Sequence, residues 1–291
     1  RINFTGSSRV GRRVAEIGAR YLKPCLLELS GKASLIVLED ADIEAAALAA
    51  TYGAYFNQGQ ICMTTERVVV VDEVADRFLA AMEAQCADLL ARRNGAKVGD
   101  LISADAARRV GRLIDDALAR GATLVVGGEV SGAYVQPTLL DRVTPEMQIY
   151  SEESFGPIAA IVRVEDEAEA VSVANDTQYG LVASVFTADE ARGRAIARRL
   201  ETGVCHINGP TVYDDPSKPY GGVKTSGYGR FGGNWGIAEF TELRWITVQE
   251  LFWQHYHLNL DELPDAAQLR KAAVARGCAD WLEGAESYDD V

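Results

Sequence analysis

The sequence predicts an α/β protein built on an open, mostly parallel β-sheet with helices on both faces. Short apolar runs rich in β-branched residues alternate with longer segments of helical periodicity along most of the chain. The run at residues 67–71 is almost purely valine, which is typical of a strand buried on both faces of a parallel sheet. Alternation of strands and helices in this way favours parallel strands joined by helical connections.

The individual elements follow in chain order. The predicted strands are residues 2–5, 25–29, 35–38, 67–71, 123–126, 159–164, 183–186 and 203–207. The predicted helices are residues 10–21, 42–56, 74–91, 103–120, 165–174 and 189–200. Pro24 ends the first helix, because proline cannot continue it, and Asp40 or Asp42 suits the N-cap of the second. A glycine-rich loop from Pro219 precedes a helix-like turn and an apolar segment, LRWITV, which predicts a last strand at 243–248.

Composition and charge argue against several functions. The 291 residues are 48% hydrophobic and 24% charged, as in ordinary globular proteins. A net charge of −13 argues against binding to nucleic acid or to an anionic membrane surface. Five widely spaced cysteines favour a reducing, cytoplasmic location over a disulfide scaffold, and only three histidines occur. We therefore expect no bound metal, no nucleic acid partner and no membrane partner.

Of the five cysteines, Cys62 has the most polar local sequence, FNQGQICMTTER. This stretch lies between a predicted helix and a predicted strand. Two interpretations of this stretch remain open. A free cysteine is commonly a small buried hydrophobe. A thiol on a short connection can instead be directed by the backbone and made reactive by its surroundings.

Glu28 lies between two leucines in LELSGK, so its carboxylate is costly to desolvate unless it is paired or protonated. Burial would raise its pKa toward the range that suits a general base. From spacing alone, the favoured alternative is a strand residue whose side chain points outward.

Two further segments contain candidate binding residues. GSSRVG, at residues 6–11, joins a strand to a helix start, where backbone N–H groups and the helix dipole suit a phosphate, although such turns are often only structural. SEESFGP provides Glu153 and Phe155, which suit ribose hydroxyls and a flat ring respectively. A loop acid without a binding role is the alternative for Glu153. The preceding PEMQIY segment shows little regularity.

The motifs FTGSSRVG, LELSGK, FNQGQIC, EESFGP, NDTQYGLVASVF and PYGGVKTSGYGRFGG occur in the order found in the aldehyde dehydrogenase superfamily. The chain resembles the C-terminal, catalytic part of that superfamily from Arg1 to about Gln249. The sequences of ICMTTER and of the segment from GRFGG to LRWITV most resemble those of the branch that oxidises aromatic aldehydes such as benzaldehyde, vanillin and salicylaldehyde.

This resemblance implies NAD(P)-dependent oxidation of an aldehyde, and within the nearest branch of an aromatic aldehyde, to a carboxylic acid. Cys62 would form a thiohemiacetal and then a thioester, its backbone N–H would supply half of the oxyanion hole, and Glu28 would activate the hydrolytic water. NAD or NADP would contact Gly6, Ser7, Ser8, Arg9, Val10, Gly11, Leu29, Gly31, Glu153 and Phe155. The substrate pocket would include Ile61, Met63 and Tyr220.

The resemblance also implies how the chain is organised. Residues 1–29 would be a remnant of the cofactor-binding domain, 30–230 the catalytic domain, 231–250 a helix turn and oligomerisation strand, and 251–291 an appended acidic tail. The chain then resembles an N-terminally truncated enzyme, so we expect little dehydrogenase activity from it alone and a homo-oligomer for the full-length enzyme. Ser30 stands where the superfamily motif has glycine, which would strain the backbone if that position needs a positive φ.

Two alternatives to the hydrolytic dehydrogenase remain. An acylating relative would pass the thioester to coenzyme A, and the presence of Glu28 favours water instead. A non-catalytic structural or regulatory relative would keep the fold without the reaction, and retention of both Cys62 and Glu28 argues against it.

Overall fold

The computed structural model describes residues 1–91 and 99–246, together with residues 268, 271, 274 and 275. The strands are β1 (Ile2–Thr5), β2 (Cys25–Glu28), β3 (Ala33–Val37), β4 (Thr65–Val71), β5 (Thr123–Val126), β6 (Val130–Ser131), β7 (Tyr134–Val135), β8 (Thr138–Asp141), β9 (Ile158–Val164), β10 (Tyr179–Gly180), β11 (Val182–Phe186), β12 (Val204–Ile207), β13 (Val223–Lys224) and β14 (Gly227–Tyr228). The helices are α1 (Ser8–Arg20), α2 (Ile43–Tyr55), α3 (Asp72–Ala91), α4 (Ala104–Ala119), α5 (Gln148–Ser151), α6 (Glu167–Asn175), α7 (Glu190–Ala197) and α8 (Gly233–Glu239), and a short 3-10 helix spans Phe56–Gly59.

Seven strands form the main sheet, in the order β12-β11-β3-β4-β9-β8-β5. Every neighbouring pair is parallel except β5 and β8, which pair antiparallel at one edge. This confirms the predicted open, mostly parallel sheet. A separate three-stranded sheet has the order β1-β2-β14, with β1 and β2 parallel.

Helices cover both faces of the main sheet because its central strands are apolar on both sides. The side chains that face α2 and α3 are Leu35, Val37, Val68 and Val70. Their chain neighbours Ile36, Leu38, Val69 and Val71 face the opposite way and pack with α6 and α7. Alternation of this kind is the two-residue period of a strand, and it accounts for the valine run in β4.

The loops before three parallel strands meet at one edge of the main sheet. Lys32 immediately precedes β3, Thr64 precedes β4, and Gly156 lies just before β9. The amino-terminal ends of parallel strands lie along the same edge, so these connections are neighbours although they are distant in sequence. This edge carries the candidate site.

All the helices and strands predicted before residue 208 are present in the structure. The PEMQIY segment contains most of the short helix α5, and the short strands β6, β7, β8, β10, β13 and β14 were not predicted, because pairing with a partner strand and not local composition defines them. Residues 243–246 have no regular secondary structure in this single chain, and residues 247–248 lie outside the described residues. Since a strand requires a hydrogen-bonded neighbour, pairing of 243–248 between subunits stays a prediction.

The chain divides into two compact units, Arg1–Thr241 and Glu242–Val291. All the helices and strands named above belong to the first unit. Most of the predicted acidic tail at 251–291 lies outside the described residues. Among the helices of the described ranges, none is both long enough and apolar enough to span a membrane.

Candidate active site

Cys62 follows a run of left-handed backbone. Asn57, Gln58 and Gly59 have φ values of 52°, 56° and 67°. Asparagine and glycine adopt this region readily, whereas a residue such as Gln58 does so at a cost on the order of 1 kcal/mol. A Cβ on Gly59 would lie 2.2 Å from the carbonyl oxygen of Gly156, so only glycine fits there. The loop is thus folded tightly against the connection that precedes β9.

Three threonines fix the segment that follows the thiol. Thr64 Oγ1 donates to the carbonyl oxygen of Gly59 at 3.0 Å. Thr211 Oγ1 donates to the carbonyl oxygen of Met63 at 2.7 Å. Because that bond uses the single hydroxyl hydrogen of Thr211, Thr65 is the donor in the 2.7 Å contact between the two hydroxyl oxygens. These bonds hold the thiol loop at the amino end of β4.

Tyr220 lies between the thiol and the carboxylate that the sequence singled out. Cys62 Sγ is 3.2 Å from Tyr220 Oη, and Tyr220 Oη donates to Glu28 Oε1 at 3.4 Å. The tyrosine is held by two backbone hydrogen bonds with Phe231, of 3.0 and 2.7 Å. Glu28 ends β2 and is only 5% exposed, so the interpretation of an outward-pointing strand residue is wrong.

Burial sets the protonation of these three groups. Together with the negative charge of Glu28, burial raises the pKa of Cys62 to about 12. Burial also raises the pKa of Glu28, while hydrogen bonds from Cys62, Tyr220 and Thr5 oppose that shift. The pKa of Tyr220 is raised well above its ordinary value by burial and by the two neighbouring acids. At neutral pH the sulfur is therefore a thiol, and the ionisable group poised to accept a proton is Glu28.

The turn after Glu28 lies directly against the thiol loop. A Cβ on Gly31 would be 2.3 Å from the carbonyl oxygen of Cys62, so glycine is required for this approach. Leu29 is buried, and its backbone N–H donates to the carbonyl of Ser226 at 3.0 Å. The φ of Ser30 is not positive, so the backbone strain expected for a serine at this position does not arise.

The loop before β9 is tied to the sheet edge by a buried ion pair. Lys32 Nζ lies 2.6 Å from Glu66 Oε2, and it also donates to the carbonyl oxygen of Glu152 at 2.6 Å. The carboxylate of Glu66 accepts the backbone N–H of Ser154 at 2.8 Å and that of Phe155 at 3.0 Å. Burial lowers the pKa of Lys32, and the charge of Glu66 opposes that effect.

Glu153 is held from two sides. Arg109 donates through Nη1 to the Glu153 carbonyl at 2.9 Å and through Nη2 to the carbonyl of Ser154. The Glu153 carboxylate accepts the backbone N–H of Gly31 at 2.9 Å and a hydrogen bond from Ser30. Burial, followed by the charge of Glu66, raises the pKa of Glu153.

Phe155 has a φ of 44°, and its ring is 38% exposed. Its backbone is held by Glu66 in a conformation that most side chains avoid. The exposed ring and the Glu153 carboxylate are neighbours in sequence on the same tightly held loop.

The strand-to-helix turn at residues 6–11 has the geometry of an anion site. Ser7 is the N-cap of α1, and its hydroxyl accepts the N–H of Val10 at 3.4 Å. The other N–H groups of the first helical turn have no partner within the helix. A Cβ on Gly11 would lie 2.4 Å from the Leu29 side chain, so glycine lets the helix pack on the Glu28 turn. Ser8 Oγ donates to the carbonyl of Thr225 at 2.8 Å, while Arg9 is exposed.

The predicted pocket residues are placed around the thiol. Met63 and Tyr220 pack with Cys62 against a small apolar cluster that includes Leu181. Ile61 is half-buried beside the thiol in sequence. The apolar surroundings of the sulfur are suitable for an uncharged organic substrate.

Two of the other described cysteines are more buried than Cys62, whereas Cys205 is in the same exposure range as Cys62. Cys25 and Cys86 are buried, and Cys205 is half-buried in β12. Burial raises the pKa of both Cys86 and Cys205 to about 11. Within the ranges that the structure describes, no group of histidine, cysteine, aspartate and glutamate could hold a metal ion.

Sequence reasoning missed the buried network of Lys32, Glu66 and Arg109. Lys32 and Glu66 lie 34 positions apart in sequence, and Arg109 comes from α4. A usable signal was present, because Glu66 and Arg67 are charged residues at the start of the valine run in β4. Charged residues in a strand buried on both faces must be paired or hydrogen-bonded.

The structure thus combines an open α/β sheet with a cysteine thiol that lies near a buried carboxylate. The chain belongs to the aldehyde dehydrogenase family, whose model matches residues 1–246. It is 54% identical over 252 residues to vanillin dehydrogenase from Pseudomonas fluorescens, covering 86% of this chain and 52% of the relative. It is 47% identical over 260 residues to salicylaldehyde dehydrogenase from Pseudomonas sp. strain C18, covering 88% and 54% respectively.

Solved structures show the same relationship. A salicylaldehyde dehydrogenase from Pseudomonas putida G7 complexed with salicylaldehyde superimposes with a TM-score of 0.81 at 46% identity, covering 85% of this chain and 52% of that one. An NADP-dependent glyceraldehyde-3-phosphate dehydrogenase from Bacillus halodurans C-125, complexed with NADP, gives 0.78 at 39% identity, covering 84% and 51%. The chain spans about half the length of the relatives that it matches.

Proposed function

We propose that this chain carries the catalytic part of an NAD(P)-dependent dehydrogenase that oxidises an aromatic aldehyde to its carboxylic acid. The observation that supports this proposal most is the contact series from Cys62 Sγ through Tyr220 Oη to Glu28 Oε1. This series supports a nucleophile and a base that act on the same carbon atom. Likeness to vanillin and salicylaldehyde dehydrogenases supports an aromatic substrate, as does the apolar packing of Met63.

In the proposed reaction the sulfur of Cys62 attacks the aldehyde carbon, and the carbonyl electron pair moves to the oxygen. The backbone N–H of Cys62 donates to that oxygen. When bound, NAD or NADP supplies the hydride acceptor that converts the thiohemiacetal on Cys62 into a thioester. Glu28 then removes a proton from water as the water attacks the thioester, and the acid leaves as the C–S bond breaks.

The residues of the turn at 6–11 and of the loop that contains Glu153 and Phe155 fit a nicotinamide dinucleotide. The start of α1 offers backbone N–H groups to a pyrophosphate, which Ser7, the N-cap, would contact most directly. Gly31 and Leu29 would lie near the nicotinamide, Glu153 would hold its ribose, and the exposed ring of Phe155 would flank it. The other residues of this turn that we propose to contact the cofactor are Gly6, Ser8, Arg9, Val10 and Gly11.

The wider assignments are also proposals. Residues 1–29 would belong to a cofactor-binding domain, 30–230 to the catalytic domain, 231–250 to a helix turn and oligomerisation strand, and 251–291 to an acidic tail. The full-length enzyme would be a cytoplasmic homo-oligomer. Its free cysteines and acidic composition support that location.

An activated ester tests the thiol and the base without a cofactor. With 4-nitrophenyl benzoate, we expect one rapid release of nitrophenolate per chain as Cys62 is acylated, followed by slower turnover. Cys62→Ser should abolish both phases. Glu28→Gln should still release one nitrophenolate per chain and should slow the second phase by about 10²–10⁴-fold, because the attacking water then has no base. Cys205→Ser, which removes another half-buried thiol, is the matched control.

The same assay separates the alternatives. Acyl transfer to added coenzyme A that outpaces hydrolysis would support the acylating relative instead. Acylation that is unchanged in Cys62→Ser would contradict the proposal and favour a non-catalytic relative. The position of the benzoyl group is read by mass spectrometry of the peptides.

A further inference from the structure

We propose that the Tyr220 hydroxyl is a catalytic group that passes a proton between Cys62 and Glu28. This inference rests on the function proposed for the thiol and the carboxylate, and it adds a third reacting residue between them. The phenol is thereby more than a wall of the substrate pocket.

The direction of the hydrogen bonds follows from how many hydrogens each group has. The hydroxyl of Tyr220 carries one hydrogen, and it donates this to Glu28 Oε1 at 3.4 Å. Its oxygen can then accept the S–H of Cys62, whose sulfur is 3.2 Å away. This bond competes with the hydrogen bond from Cys62 to Glu28 itself. The series is S–H to phenol oxygen, then phenol O–H to carboxylate. Shifting each hydrogen one bond along it yields a thiolate, a neutral phenol and a carboxylic acid.

The neighbouring charges favour this route. The groups that act on Glu28 are Cys62, Tyr220 and Thr5, and none of them in the described part of the chain is a cation. Glu153 adds negative charge toward Cys62, as Asp214 does toward Tyr220. A thiolate here is thus opposed by its surroundings unless a proton is placed on the adjacent carboxylate and the phenol donates to the sulfur.

The transfer operates in both halves of the proposed reaction. On attack, the S–H bond breaks as the C–S bond forms, and the proton arrives on Glu28 through the phenol. Glu28 then loses that proton to solvent. On hydrolysis, Glu28 takes a proton from water, the C–S bond breaks with its electron pair on sulfur, and the proton returns through Tyr220 to Cys62. No oxidant or further reactant is needed for either transfer.

Internal transfer has a distinctive pH dependence. The thiol with carboxylate and the thiolate with carboxylic acid contain the same number of protons, so their ratio does not change with pH. Alkylation of Cys62 should therefore have a flat region between the titration of Glu28 and loss of the last proton from the pair. A thiolate formed by releasing its proton to solvent would instead give a tenfold rise per pH unit.

The experiment measures the alkylation of Cys62 by iodoacetamide in this 291-residue chain from about pH 6 to 11, a range that spans ordinary thiol titration. Peptide mass analysis assigns the label to Cys62. We expect the flat region in the unmodified chain and its replacement by a tenfold rise per pH unit in Glu28→Gln. Tyr220→Phe should lower the flat region by about tenfold or more, because the thiolate loses a charge-assisted donor.

The matched control is Tyr213→Phe, which makes the same change at an exposed tyrosine and should leave the profile unchanged. An unaltered profile in Tyr220→Phe would overturn the inference, since Glu28 would then take the thiol proton without the phenol. A tenfold rise per pH unit from neutral pH in the unmodified chain would overturn it as well. Both results would leave the ester assay of the proposed function unaffected, so the two failures are distinguishable.

Discussion

Two buried carboxylates near the thiol, Glu28 and Glu66, have opposite surroundings. They are 5% and 2% exposed. Glu66 faces the ammonium of Lys32 at 2.6 Å and accepts two backbone N–H groups. Glu28 faces a thiol and a phenol, and among the described residues no cation is paired with it.

The difference shows what each environment makes possible. A carboxylate that is paired with a cation and accepts several N–H groups can fix the backbone of a loop. A buried carboxylate that has only neutral hydrogen-bond donors and no cation beside it, as Glu28 has, has a raised pKa and can exchange a proton at moderate pH. Glu66 thus positions the loop of Glu153, while Glu28 is available for proton transfer. Substitutions at the two sites should differ in sign.

The largest effect is expected for Glu66→Gln. This change keeps the shape of the side chain but leaves Lys32 buried without its counter-charge, which should lower the free energy of unfolding by about 3–5 kcal/mol. Urea unfolding at neutral pH measures the change. The control is Glu190→Gln, which breaks an exposed ion pair with Arg194 within α7 and should cost less than about 1 kcal/mol. Similar small losses in both variants would contradict the positioning role of Glu66.

The sequence was sufficient for the longer elements. Periodicity and β-branched composition are local, so the long helices and the strands of the sheet centre were predicted closely, including the valine strand β4. A thiol in a polar loop and an acid between leucines are also visible without knowing the fold, so Cys62 and Glu28 were candidates from the sequence, while their proposed roles depended on the resemblance to the superfamily.

The rest depended on contacts between distant positions. Strand β8 is four residues long, and it is defined by its antiparallel pairing with the edge strand β5 and its parallel pairing with β9. The bond from Ser154 to Glu66 joins residues 88 positions apart, and that from Tyr220 to Glu28 spans 192 positions. No local pattern specifies such pairings, which is why the phenol was placed only as a pocket residue.

A second, smaller effect is expected for Ser30→Ala, at the turn between the two carboxylate sites. The change removes a hydrogen bond to the half-buried Glu153 carboxylate and should lower the free energy of unfolding by about 1–2 kcal/mol. The control is Ser34→Ala, since within the described residues Ser34 Oγ is buried without a hydrogen-bond partner. Its removal should be neutral or slightly stabilising. Equal losses at the two serines would show that the Ser30 bond contributes nothing specific.

The smallest effect, and the one of opposite sign, is expected for Glu28→Gln. Because burial raises the pKa of Glu28 above its ordinary value of 4.5, the folded chain holds this proton more tightly than the unfolded chain. Stability contributed by the group is therefore present below about pH 4.5 and is lost as pH rises through the folded pKa. The glutamine variant should gain up to about 1 kcal/mol over the unmodified chain above that pKa, and less toward pH 4.5. Urea unfolding at several pH values measures this gain. A loss that resembles Glu66→Gln would mean that Glu28 is held as a structural anion, and the contrast between the two carboxylates would fail.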